Sequence, residues 1–140
     1  MMTVGELIDI VDGELVCCED MLEQTIEDFA ASDLLSDVLA FHKENYALLT
    51  GLTNAQIVRT ADITSAHCIV IVRNKKPQQA AIALAQATDI PIILCSLTMF
   101  DACARLSRFA ESKNDPTPRT PNPSGARTDV PDQGARGDDR

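Results

Sequence analysis

Three short apolar runs and the helical patterns between them are the strongest signal in the chain. The runs lie at residues 46–50, 67–72 and 90–95. Each has the length of a strand and consists mostly of branched apolar residues, which is typical of strands covered on both faces of a parallel sheet. Helical patterns occupy residues 54–64 and 77–88. This order predicts an α/β fold: a single three-layer domain with a mainly parallel sheet built from right-handed βαβ units.

The segment before these runs begins with a helix signal. Thr3 followed by Glu6 is the pattern of a capping box, and the apolar repeat after it predicts a helix to about Asp12, ended by Gly13. Two strands are predicted next, at residues 14–17 and 24–29. Nothing in the sequence indicates which strands these two pair with.

Two further helices are predicted from apolar spacing and capping residues. Ser32 or Asp33 precedes a helical pattern that leads into the first apolar run, and Asp37 would favour its first turn through the helix dipole. Asp33 and Asp37 could instead hold a cation together, but capping is the simpler interpretation. A final amphipathic helix follows Ser96 or Thr98 and is predicted to end near residue 112.

The last 28 residues differ in composition from the rest. Residues 113–140 hold five of the seven prolines, three of the six glycines and one branched aliphatic residue, Val130. Such a segment cannot bury enough apolar surface to offset the entropy lost on ordering. We therefore predict one domain over residues 1–112 and a disordered tail over residues 113–140.

Charge is distributed unevenly along the chain. The net charge is −9, and the five basic and five acidic residues of the tail cancel. Residues 1–44 contain twelve carboxylates and one lysine. This argues against duplex nucleic acid or an anionic membrane as a partner, because both require neutralising Lys and Arg. The acidic face could bind a protein partner, or it could serve only solubility.

Hydropathy and cysteine usage predict a cytoplasmic protein. No apolar run approaches the roughly 20 residues of a membrane helix, and the N-terminus lacks the basic-then-apolar order of a signal peptide. The five cysteines include Cys68 and Cys95 within predicted strands, as expected of small buried residues. Adjacent Cys17 and Cys18 could be redox-active, although a structural role is favoured. The spacing of cysteines and histidines predicts neither a metal site nor a cofactor.

The loops after the predicted parallel strands are the place to expect a ligand site. The first of these contains Thr50, Gly51, Thr53 and Asn54. Gly51 permits a tight turn and Thr53 or Asn54 can cap the next helix, whose N-terminal N–H groups suit a phosphate or carboxylate. The same residues are also compatible with an ordinary turn.

Positive charge is concentrated near this edge. Four of the seven basic residues of the domain are Arg59, Arg73, Lys75 and Lys76. With Asn74 and Thr98 they extend the candidate ligand-binding site, although basic loops are also common as solvated connections. The sequence offers no nucleophile with a histidine and an acid, so we predict no catalytic residues and no enzyme activity.

The frame of strands and loops resembles the DRTGG domain, whose fold is related to the N-terminal domain of HPr kinase. In that family, three strands lead into Gly-Asp-Arg, Thr-Gly-Gly and Asp-Thr-Phe. The corresponding segments here are Gly51-Leu52-Thr53, Val72-Arg73-Asn74 and Thr98-Met99-Phe100, in which Gly51 and Phe100 match the motif. The resemblance covers about the first 110 residues. It implies a homodimeric regulatory domain that binds a nucleotide.

Residues 31–38 and 49–54 look closer to the stand-alone members of this family, which implies a part in a redox or hydrogenase system. We therefore predict a non-catalytic regulatory module that binds a small anionic metabolite or nucleotide and modulates a partner. The alternative is a protein-interaction or assembly domain without a small ligand.

Overall fold

The computed structural model describes residues 1–114 of the chain. The helices are α1 (Val4–Ile10), α2 (Leu35–Ala40), α3 (Ala55–Ile63), α4 (Gln79–Thr88) and α5 (Met99–Asn114), with a short 3₁₀ helix at Glu19–Met21. The strands are β1 (Met2–Thr3), β2 (Glu14–Leu15), β3 (Thr25–Ile26), β4 (Asp28–Ala31), β5 (Tyr46–Thr50), β6 (Ala66–Ile71) and β7 (Ile92–Leu94). The predicted α/β fold is confirmed.

The main sheet has five strands in the order β2-β7-β6-β5-β4. Strands β4 to β7 are parallel neighbours, and β2 is added antiparallel at the β7 edge. The predicted strand at residues 24–29 is wrong as a single element. Its first half is β3, which pairs with β1 in a separate two-stranded sheet, whereas its second half is the start of β4. Hydrophobic alternation alone does not reveal this change of partner.

The two faces of the sheet carry two separate cores. Alternate residues of β5 and β6 contribute to each, so both strands are almost continuously buried. On one face Leu48 and Ile69 belong to the cluster that includes buried residues of α3 and α4. On the other face Leu49 and Val70 pack with residues of α1 and α5. This arrangement confirms the three-layer prediction.

The ends of the helices follow some of the predicted signals. In the capping box of α1, Thr3 Oγ1 accepts from the N–H of Glu6 at 3.1 Å and the Glu6 carboxylate accepts from the N–H of Thr3 at 3.0 Å. The helix ends at Ile10, earlier than predicted, and Asp12 adopts a positive φ of 55°. The first turn is therefore made by Asp12 rather than by glycine.

The predicted cap of α2 is wrong. The N-cap residue is Leu34, without a side-chain hydrogen bond, because the carboxylate of Asp33 is directed to another part of the fold. Ser32 Oγ accepts from the N–H of Leu34 at 3.0 Å, one step before the helix. The last described helix, α5, extends two residues beyond its predicted end, to Asn114. The rest of the predicted tail lies outside the described residues.

Candidate functional site

The loops that follow β5, β6 and β7 meet at one edge of the sheet, as the parallel strands require. Backbone hydrogen bonds join them: Arg73 N–H donates to the carbonyl of Leu97 at 2.8 Å, and Gln78 N–H donates to that of Thr53 at 2.9 Å. The loops after β6 and β7 lead to α4 and α5, which pack on opposite faces of the sheet. Such a change of face is where α/β sheets usually open a crevice.

The turn at Gly51 is held by a carboxylate from a distant part of the sequence. Gly51 N–H donates to Asp33 Oδ1 at 2.5 Å, and the hydroxyl of Thr50 donates to the same oxygen at 3.3 Å. Thr50 Oγ1 also accepts from the N–H of Leu52 at 3.1 Å. The Gly51 N–H, in the loop where the sequence predicts a ligand, is therefore bonded to an anionic side chain of the protein itself.

Sequence reasoning missed this role of Asp33. The signal that could have revealed it is the register of β4 against β5, in which Ala31 lies opposite Leu49. Two residues beyond each of these partners, Asp33 and Gly51 leave the sheet at the same edge. The short β4 was not recognised as a parallel strand, so this register was not available.

The glycine provides room for two charged side chains. A Cβ atom built at Gly51 would lie 2.6 Å from Arg73 Nη2 and 3.2 Å from Asp33 Oδ1. The guanidinium and the carboxylate thus both approach the turn closely where any other residue would place its side chain. The predicted pair of Gly51 and Arg73 is brought together, and Asp33 is added to it.

The loop after β6 turns through two residues in the left-handed region. Arg73 has a φ of 61° and Asn74 a φ of 57°. For a residue other than glycine this conformation costs roughly 1–2 kcal/mol. The turn directs both N–H groups toward the loop after β7, where Asn74 N–H donates to the carbonyl of Cys95 at 2.8 Å. These bonds compensate for the strain and leave both side chains exposed.

Other predicted site residues perform ordinary capping. Asn54 Oδ1 accepts from Ile57 N–H at 3.2 Å at the start of α3, and Thr98 Oγ1 accepts from Asp101 N–H at 3.1 Å at the start of α5. Thr53 contributes its carbonyl oxygen to a contact between loops. Arg59 lies along α3 and donates to the side chain of Gln56.

Within residues 1–110, Arg73, Lys75 and Lys76 form no ion pair, although the Asp33 carboxylate lies beside the same turn as Arg73. The ion pair between Lys43 Nζ and Asp28 Oδ2, at 3.1 Å, lies at the start of β4 and thus at the opposite edge of the sheet. Arg73, Lys75 and Lys76 are exposed. They can therefore contribute an attractive potential for an anion at the same edge as the Gly51 turn.

Two adjacent cysteines lie away from this edge. The sulfur atoms of Cys17 and Cys18 are 3.7 Å apart, and Cys18 Sγ approaches the carbonyl of Ala85 at 3.6 Å. Burial, with the neighbouring Cys17 thiol, raises the pKa of Cys18 to about 12. A thiol with so high a pKa carries little thiolate near neutral pH, so its nucleophilic reactivity is low.

Three cavities lie outside the predicted site. One of about 350 Å³ is bounded by β4, β5 and α5 and is largely apolar, with Phe29 and Leu106 in its wall. Two others, of about 390 and 360 Å³, lie near the amino ends of the strands. In the part of the chain that the structure describes, no three His, Cys, Asp or Glu side chains gather as metal ligands would. No described helix is long and apolar enough to cross a membrane.

Comparison with known proteins identifies a family and similar solved structures. A family model for the DRTGG domain matches residues 6–109. The fold is similar to that in a crystal structure of the CBS and DRTGG domains from the regulatory region of Clostridium perfringens pyrophosphatase, complexed with its activator diadenosine tetraphosphate. The TM-score is 0.63 at 15% sequence identity, and the match covers 75% of this chain but 46% of that one. No curated protein sequence matches the chain.

Proposed function

Because the chain belongs to the DRTGG domain family, we propose that it is a non-catalytic regulatory module that binds a small anionic metabolite or nucleotide. The ligand would bind at the carboxyl edge of the sheet, beside Gly51 and Arg73. Binding would change how the domain acts on a partner. The residues proposed to take part are those predicted from the sequence: Thr50, Gly51, Thr53, Asn54, Arg73, Asn74, Lys75 and Thr98.

One observation carries the proposal: a carboxylate oxygen already lies in contact with the N–H of Gly51, at 2.5 Å. A backbone N–H and a hydroxyl that together hold a carboxylate can hold a phosphate oxygen in the same way. The guanidinium of Arg73 lies beside the same turn. The relative that shares this fold was crystallised with a dinucleoside polyphosphate, which suggests the first ligands to test.

The two histidines are not positioned to act as catalytic residues at the Gly51 turn. His67 Nδ1 lies 2.6 Å from the carbonyl oxygen of Thr25, an arrangement that joins β6 to the small sheet. His42 lies beyond the end of α2, next to the ion pair of Lys43. His42 precedes β5 and His67 lies at the start of β6, whereas Gly51 follows the carboxyl end of β5, so neither histidine is a candidate general base there.

The experiment is calorimetric titration of the full chain with AMP, ATP, diadenosine tetraphosphate and inorganic pyrophosphate. We expect saturable binding of at least one compound and a rise in melting temperature, since a ligand that binds only the folded state stabilises it by about 2.7 kcal/mol at 100 times its Kd. Replacement of Lys75 and Lys76 by alanine should weaken binding. Replacement of Arg105 and Arg108 on α5, which removes the same charge elsewhere, should not. Absence of binding for all four compounds would overturn the proposal.

A second candidate function is assembly through the acidic N-terminal face. It is favoured by the exposure of Glu19, Asp20, Glu23 and Glu27 on one stretch of the chain. Asp28 is unsuitable for a test, because it is engaged by Lys43. Charge reversal at Glu23 and Glu27 should therefore abolish capture of a basic partner, whereas reversal at the exposed Asp101 at the start of α5 should leave it unchanged.

We further propose that the domain is a homodimer that acts in the cytoplasm, with a redox or hydrogenase system as its partner. The outer side of β4 supports the dimer, since β4 is at an edge of the five-stranded sheet and an edge strand offers unpaired backbone groups to a second copy. Light scattering gives the oligomeric state directly. Co-purification with a tagged hydrogenase subunit tests the partner, with the charge-reversed variant as its control.

A further inference from the structure

Asp33 connects the Gly51 turn to the start of a helix. It lies between the end of β4 at Ala31 and the first residue of α2, Leu35. A single carboxylate oxygen, Oδ1, receives both the Gly51 N–H and the Thr50 hydroxyl. The position of this carboxylate is therefore coupled to the path of the chain into α2.

Helix α2 is held to the rest of the fold by few contacts. It has six residues, of which Val38 alone is buried, and its N-cap makes no side-chain hydrogen bond. Leu34 and Leu39 are 57% and 52% exposed. With so little buried apolar area, polar contacts of the preceding residues help to fix the start of this helix. These are the bond from Asp33 to the Gly51 turn and the bonds of Ser32, whose N–H donates to the Leu49 carbonyl and whose Oγ accepts from the Leu34 N–H.

The Gly51 N–H can serve only one anion at a time. A phosphate that takes this N–H must remove the carboxylate of Asp33, which already accepts it at 2.5 Å. The two negative groups would otherwise face each other next to one guanidinium, and like charges at such a distance repel strongly. Ligand binding at this turn and the Asp33 contact therefore exclude each other.

We propose that Asp33 is a built-in competitor for the ligand, and that a phosphate bound at Gly51 expels it and releases the start of α2. This inference rests on the proposed function and adds its mechanism of regulation. The ligand class is a compound with a terminal phosphate or pyrophosphate. Released from the turn, α2 can present the apolar side chains of Leu34 and Leu39 to a partner in a new position.

The coupling is reciprocal. If a partner binds the domain with α2 displaced, it removes the competitor and increases the affinity for phosphate by the same factor by which phosphate increases the affinity for the partner. Ligand binding then changes the position of helix α2, to which the partner responds, and leaves the sheet unchanged. Asp33 is a positioning residue in this scheme, since it acts by leaving the site.

The test compares Asp33→Ala with Asp37→Ala in the full chain. Both variants lose one negative charge from the same segment, but Asp37 contacts Ser32 Oγ at 3.4 Å rather than the Gly51 turn. With inorganic pyrophosphate as the probe, we expect Asp33→Ala to bind on the order of tenfold more tightly than the wild type, the effect of freeing one charged hydrogen bond. Asp37→Ala should change the affinity less than about twofold.

A readout without ligand distinguishes the inference from the proposed function. Hydrogen exchange at the amides of Gly51, Leu34 and Val38 should accelerate in Asp33→Ala. In Asp37→Ala, which can loosen α2 but does not touch the turn, exchange at the Gly51 amide should stay unchanged. Asp33→Asn, which keeps an oxygen acceptor, should lie between wild type and Asp33→Ala. In the wild type, pyrophosphate itself should accelerate exchange at the start of α2.

Equal pyrophosphate affinity in wild type and Asp33→Ala would overturn the competition but leave the proposed ligand site intact. Unchanged exchange in α2 for Asp33→Ala would overturn the coupling, whatever binds. Failure of every variant to bind pyrophosphate, with all of them folded, would overturn the phosphate site and the competition together.

Discussion

The turns at Gly13 and Gly51 lie at the same edge of the sheet, yet an added side chain would meet different surroundings in each. A Cβ atom at Gly13 would lie 2.6 Å from Ile93 Cγ2 and 3.0 Å from the carbonyl oxygen of Leu94. At Gly51 the nearest atoms are the charged ends of Arg73 and Asp33. Neither glycine has a positive φ, so at both positions the effect of a side chain depends on the space around the turn.

This difference indicates that Gly13 leaves room for the packing of β2, whereas Gly51 leaves room beside the candidate ligand site. At Gly13 the obstacle includes backbone, and the turn must keep β2 against β7. At Gly51 both obstacles are side-chain ends that can rotate away. The first turn should therefore govern stability, whereas the second should govern what the edge of the sheet can bind.

The largest effect is expected from Gly13→Ala. Because the new methyl group would overlap Ile93 and the backbone of Leu94, we expect a loss of about 1–3 kcal/mol in the free energy of unfolding, measured by urea denaturation. Gly5→Ala is the matched control, since a Cβ there would meet nothing closer than 3.5 Å. Equal stability of the two variants would show that the Gly13 turn has room to relax.

The next effect is the loss of binding in Gly51→Ala. The methyl group would lie 2.6 Å from Arg73 Nη2 and 3.2 Å from the oxygen that accepts the Gly51 N–H. Because it would displace the guanidinium and crowd an anion at this position, we expect the affinity for pyrophosphate to fall about tenfold. The free energy of unfolding should fall by about 1 kcal/mol or less, because the Arg73 side chain is exposed and can move. A large loss of stability with unchanged binding would reverse the roles assigned to the two glycines.

A smaller effect on binding is expected from Arg73→Ala. Since its guanidinium is exposed, its contribution to pyrophosphate affinity should be about two- to fivefold, the range of a surface charge pair. The effect should shrink as salt concentration rises. Arg59→Ala removes the same charge from a residue paired with Gln56 and serves as the control. Equal pyrophosphate affinity of the two variants would show that Arg73 contributes only through its net charge and not through its position beside the Gly51 turn.

The smallest effect concerns thiol reactivity beyond β2. Since burial raises the pKa of Cys18 to about 12, its thiol should react slowly with a disulfide reagent at pH 8 and faster as the pH approaches 12. Gly13→Ala should accelerate the reaction at pH 8 by loosening β2, whereas Gly51→Ala should not. Rapid reaction in the wild type would mean that this segment opens readily.

The central strands of the sheet could be predicted from the sequence, whereas the strands at its edges could not. Strands β5, β6 and β7 were predicted because burial on both faces demands continuous apolar runs, which a single sequence displays. Strands β1, β3 and β4 have two to four residues and mixed composition, so their partners decide their conformation. The antiparallel pairing of β2 with β7 could not be predicted from the sequence either, because β7 lies near the other end of the domain.

In the candidate site, too, local contacts could be predicted from the sequence and contacts between distant segments could not. The capping roles of Asn54 and Thr98 follow from local rules, so the sequence predicts them. The contact of Asp33 with Gly51 depends on parallel pairing between β4 and β5, which no local pattern specifies. A ligand at this edge stays a prediction, and the geometry adds a competitor that the sequence did not suggest.

The antiparallel edge also constrains the order in which the chain can fold. Glu14 pairs with Leu94 and Leu15 with Ile93, so β2 closes a loop that contains most of the domain. During synthesis β2 leaves the ribosome long before its partner exists, and α1 must likewise wait for α5 on the same face. Closure of so distant a contact has a high entropic cost and is slow. We therefore expect this edge to form last, after the parallel strands and their crossover helices have already assembled.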